Sequence, residues 1–201
     1  MAIISEIIPE QGFEKVRDVI GAILLDELTN QKALQPNRLT EDIQVFTARS
    51  TPFHQSESFM INVSCDNGNF TNHTERGMHE GVNYNIDIFS KGKENAFENG
   101  GLSASKVRDK YNGLVRYILS DHHYKTLNLP LGLIMGTYVE SFENFEVNNS
   151  QDASFSQMCR IVFNVRINEN QSLWSGVNIA NLYTTVRIHL TDKGYQLIKE
   201  I

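Results

Sequence analysis

EGVNYNIDIFSKGKENAFENGGLSASKVRDKYNGLVRYILSD, residues 80–121, passes from strict alternation through a Gly- and Lys-rich stretch into a helical period. Val82, Tyr84, Ile86 and Ile88 fall on one side of an extended chain and Asn83, Asn85 and Asp87 on the other, which predicts a half-buried strand. From Ser103, the expected N-cap, Val107, Tyr111, Leu114, Val115, Ile118 and Leu119 recur at helical spacing, with Lys106, Arg108, Asp109 and Arg116 off that stripe. The residues between strand and helix decide whether a phosphate is held here. A Walker A loop needs G-x-x-x-x-G-K-[ST], so that backbone N–H groups and the Lys enclose phosphates while the hydroxyl reaches magnesium. Gly92 and Lys93 come early, Gly100 and Gly101 come late, and neither glycine group is followed by Lys and then Ser or Thr. The stretch is expected to be a joint, with glycine supplying unusual backbone angles.

Working outward, residues 13–28 carry Phe13, Val16, Val19, Ile20, Ile23, Leu24 and Leu28 on one helical face. Residues 43–53 and 58–66 read as strands, and residues 66–81 as a loop or long hairpin tip. Residues 131–142, 158–167 and 182–190 read as further strands, the last followed by a short tail. In 158–167, Cys159, Ile161, Phe163, Val165 and Ile167 alternate with Arg160, Asn164 and Arg166. The order helix, strands, helix, strands predicts an α+β fold, a mainly antiparallel β-sheet packed against two α-helices. No linker divides residues 1–201, so a single domain is expected, with extended loops near 66–81, 90–102 and 144–156.

The chain has 201 residues, 40% of them apolar, and a formal net charge of -6. An acidic chain lacks the basic field that drives binding to phosphate backbones, so nucleic acid is not an expected partner. No run of 18 apolar residues suggests a membrane span, and the start, with Glu6 inside a short apolar run, does not read as a secretory leader. N-x-[ST] sequons at Asn62, Asn69, Asn72, Asn148 and Asn170 therefore reflect Asn-rich composition, and a reducing cytoplasm is the expected site of synthesis. Cys65 and Cys159 sit in apolar alternations and are expected to be reduced and buried. His122 and His123 are adjacent, so their side chains are expected to diverge; no zinc-type spacing and no G-x-S-x-G occurs. No catalytic residue, metal or cofactor is expected. Lys91, Lys93, Lys106, Arg108, Lys110 and Arg116 are expected on a solvated face, with a subunit contact as the alternative. Trp174 is expected in the core rather than at an interface.

At GVNYNIDIFSKGKENAFENGG followed by SKVRDKYNGLVRYILSD, and again at LGLIMGTYVESFENF leading to MCRIVFNVRINE, the chain resembles the tail terminator and tail-completion (head–tail joining) proteins of tailed bacteriophages. In that family an N-terminal helix precedes strands, a second helix follows a Y-x-I-D-I-F-like strand, and a final antiparallel pair carries an F-x-V-R-like strand. The likeness runs from Phe13 to about Leu190, and the polar 66–81 loop is longer than the family's minimal form. It implies a virion structural protein without chemistry, a homo-oligomeric ring (a hexamer) at the head–tail junction. That ring would end the tail tube and contact the tail tube protein and the head-completion or neck proteins. A short-tailed phage would use it as a connector or collar ring.

For ring closure the sequence offers strands 158–167 and 182–190 as edges to extend a neighbour's sheet. Arg160, Arg166 and Arg187 on their polar faces are candidates to pair with Glu140, Glu143 or Glu146 of the next subunit. Two other classes compete: a phosphate- or metal-dependent enzyme using His73, His79, Glu75 and the 90–101 loop, and a monomeric binding module.

Overall fold

The computed structural model describes residues 7, 10–50, 57–74, 77–92, 99–146, 156–169, 185–191 and 194–200. Two compact units divide the chain, Met1–Gln171 and Ser172–Ile201. In the first, α1 (Gly12–Leu34) is followed by β1 (Val45–Thr47), β2 (Phe59–Thr74) and β3 (Gly77–Lys91). Then come α2 (Gly100–Ser120), a 3₁₀ turn at His122–Tyr124, β4 (Ile134–Glu146) and β5 (Ser156–Glu169). The sheet order is β1-β2-β3-β5-β4. All neighbours are antiparallel except β1, which runs parallel to β2, so the fold is α+β as expected.

One face of the sheet holds the core. Ile61 and Val63 of β2, Tyr84, Ile86 and Ile88 of β3, and Cys159, Ile161, Phe163 and Val165 of β5 are buried against Val16, Ile20, Leu24 and Leu28 of α1 and Tyr111, Val115 and Leu119 of α2. Removing each such aliphatic side chain from water contributes about 1.5–3 kcal/mol. Polar fasteners set the helices in place: the Tyr84 hydroxyl donates to the Phe13 carbonyl at 2.8 Å, and the Ser90 hydroxyl to the Ala104 carbonyl at 2.9 Å. The start of α1 carries a capping box, with the Gln11 amide donating to Glu14 at 3.1 Å.

Of the two readings of residues 66–81, the long hairpin tip holds: β2 and β3 continue as one hairpin, paired as far as Thr74 with Gly77. Other expectations change. Cys65 is exposed although its phase matches Ile61 and Val63 and its register partner Tyr84 is buried; Cys159 is buried as expected. The strand expected over 43–53 is only three residues long. α2 begins at Gly100 with Asn99 as its N-cap, rather than at Ser103.

In the second unit, β6 (Thr185–Thr191) pairs antiparallel with β7 (Gly194–Glu200) as a two-stranded sheet. The tail expected after residue 190 is thus a strand. Trp174 lies outside the described residues.

Candidate functional site

The joint between β3 and α2 is tight. A Cβ on Gly92 would lie 1.7 Å from the Gly100 carbonyl oxygen and 2.7 Å from the Ala104 nitrogen, so the strand end abuts the first turn of the helix. Glycine is needed here for close approach, not for a left-handed angle. The Gly101 amide already donates to the Asn99 side-chain oxygen at 2.8 Å. An amide that a phosphate would need is therefore occupied by the protein's own cap.

Of the two strands expected as edges, 182–190 is found as β6 (Thr185–Thr191), paired on one side only among the described residues, whereas 158–167 offers no edge. Strand 158–167 is interior, hydrogen-bonded on both sides as β5 between β3 and β4, because its run of buried residues needs neighbours on each side. It has no free edge to offer; among the described residues the terminal strands of this sheet are the three-residue β1 and the long β4. Met135, Tyr138, Phe142 and Phe145 of β4 are all exposed. Register irregularities between Ile134 and Gly136 and between Val139 and Ser141 bend this strand.

The sheet face opposite the helices carries a polar ladder. Asn62, Asp87, Arg160 and Glu143 stand side by side across β2, β3, β5 and β4. Arg160 donates to both carboxylate oxygens of Asp87, at 2.7 and 2.9 Å. The candidate partner from another subunit thus competes with a bidentate partner in the same chain. Arg166 is exposed and stands opposite Gly81 on one side and Gly136 on the other. Glu140 and Glu143 are exposed on β4. The side chains of Glu146 and Arg187 lie outside the described residues, as do those of His73, Glu75 and His79.

Between β4 and α2 runs an open groove of about 870 Å³, lined by Arg116, Tyr117, Lys125, Tyr138, Glu140 and Phe142 among others. The Arg116 guanidinium sits 4.9 Å above the Phe142 ring, joining charge to an exposed aromatic.

Of the basic cluster of α2, Lys106 and Arg116 are exposed as expected, but Arg108 and Lys110 are not. Arg108 is buried and reaches Gln157 at 2.8 Å, and Lys110 bonds both oxygens of Glu41 at 3.0 Å. No periodic signal marks them, because each is placed by a partner distant in sequence. The adjacent histidines also depart from expectation. Their rings lie 3.8 Å apart and both turn towards Asp121, because the 3₁₀ turn changes the angular step between neighbours from that of a strand or α-helix.

No protein-family model matches the chain, and no curated protein matches it. Among solved structures it is similar to a chain of the "Virion of native gene transfer agent (GTA) particle", at 15% identity and a TM-score of 0.40, over 62% of this chain and 78% of that one. A likeness at that level assigns neither a family nor a role.

Proposed function

We propose that this protein is a virion structural component that assembles as a ring at the head–tail junction of a tailed phage, ends the tail tube and mediates joining to the head. The free edge of β4, with its exposed aromatics beside the Arg116 groove, carries this reading. An unpaired edge strand with apolar side chains is a hazard unless something pairs with it, and a neighbouring subunit satisfies it. A head-to-tail contact of this kind closes into a ring when the rotation allows. The element order quoted for the tail terminator resemblance is also the order of the first unit. A net charge of -6 per subunit suits a channel wall that DNA passes without adhering. The action is binding, with no chemical step. A collar or connector ring in a short-tailed phage would use the same edge.

Electron microscopy of virions, with this chain located by a fused tag, tests the reading. The expected result is a closed ring between head and tail. Location in the capsid shell or at the tail tip, or absence from particles, would refute it.

A further inference from the structure

We propose that Asp121, His122 and His123 form a site for one divalent transition-metal ion of the zinc class. Asp121 ends α2 and opens the 3₁₀ turn, and its Oδ1 accepts the His123 backbone N–H at 2.9 Å, which fixes the carboxylate. The same oxygen lies 2.8 Å from His123 Nδ1 and 3.4 Å from His122 Nδ1. One ligand atom from each of the three residues fits within 4.8 Å of the others. Tetrahedral zinc with bonds near 2.0–2.1 Å separates its ligands by about 3.3 Å, so only a small opening of the His123 contact is required. Two imidazoles with one carboxylate suit zinc, cobalt or nickel better than magnesium or calcium.

The surroundings point the same way independently. Glu27 of α1 accepts a short hydrogen bond from the Tyr124 hydroxyl. Glu27 and Asp121 line one cavity, and among the described residues neither is ion-paired with Lys or Arg. Lys125, the next residue along, instead reaches the Thr137 carbonyl at 3.4 Å. Glu27, Asp121, His123 and Tyr124 share a cavity of about 350 Å³, which leaves room for water to complete the coordination. Both histidines are exposed, so the ion enters and leaves without opening the core.

Titration of the full-length, chelator-treated chain with Co²⁺ alone, followed by visible absorption, tests the site. One equivalent should bind and give ligand-field bands, and Zn²⁺ should displace it. H122Q, H123Q and D121N should each weaken Co²⁺ binding at least about ten-fold, while the H73A/H79A double variant binds as the parent does. Circular dichroism checks that each variant is folded. Absence of uptake at millimolar Co²⁺, or binding lost in H73A/H79A but kept in H123Q, overturns the proposal.

Discussion

Asp87 and Arg160 form a pair whose two ends differ in exposure: the side chain of Asp87 is 9% exposed and that of Arg160 39%. Deleting the cation strands a buried carboxylate, whereas deleting the anion leaves a guanidinium that still reaches water and Glu143. R160A should therefore lower stability by about 1–3 kcal/mol and D87A by less. Urea unfolding of both variants checks the order, and equal losses would contradict this account. Glu41 supplies a pH-dependent counterpart. Burial pushes its carboxyl up, but the hydrogen bonds and charge of Lys110 and the Tyr111 hydroxyl outweigh this and leave it below its ordinary value of 4.5. A carboxyl lowered on folding adds stability above its unfolded value and loses it as pH falls through the folded one. Stability should thus decline on acidification below about pH 4.5, and K110M should show a shallower decline in melts taken across that range. Neither pair was legible in the sequence. Asp87 and Arg160 are 73 residues apart and Glu41 and Lys110 are 69 apart, and only the sheet register and the fold of the α1–β1 connection bring them together.

Elements with a complete apolar face were legible, and those without one were not. α1, β3, α2 and β5 carry strong periods and were expected at nearly their observed positions, since the buried face is written directly into spacing. The outer half of the β2–β3 hairpin stays open between loop and hairpin in the sequence, because its polar residues carry no period, and the strand β7 reads there as a tail. Sheet order was hidden too: alternation marks 158–167 as a strand but does not say that both its edges are taken. The joint was recognised as a joint, although for the wrong geometric reason. Its true reason gives a prediction. A methyl at Gly92 would overlap the backbone of Gly100 and Ala104, which cannot swing aside as a side chain does. G92A should destabilise by about 1–3 kcal/mol or more through displacement of α2 from β3, whereas G113A, with open space around it, should be neutral or slightly stabilising. Thermal melts of the two variants make the comparison, and similar midpoints would remove close approach as the reason for glycine at 92.

For the whole molecule the question is what completes the sheet at β4. Among the described residues nothing pairs with the outer side of this strand, and Tyr138 and Phe145 are 50% and 38% exposed. Proteins that stay monomeric blunt such edges with charges, proline or bulges; β4 carries Glu140, Glu143 and two register irregularities but also four exposed apolar or aromatic side chains and no lysine or proline. Glu140 and Glu143 add charge of one sign, so a neighbour bringing an arginine such as Arg166 would gain about 0–1 kcal/mol per exposed pair, with register set more firmly than affinity. Replacing Tyr138 and Phe145 together by lysine should leave the fold within about 0.5 kcal/mol per site of the parent, since both are surface positions outside the core cluster. If β4 is the joint of the proposed ring, it should nevertheless abolish that ring, because two buried charges and two lost aromatic contacts would fall at the centre of the joint. Urea unfolding measures the first effect. Complementation of a phage lacking the parent gene, with particles counted by electron microscopy, measures the second through loss of joined heads and tails. A folded double variant that joins heads to tails as well as the parent would mean that the ring closes through another surface and that β4 is covered by something else.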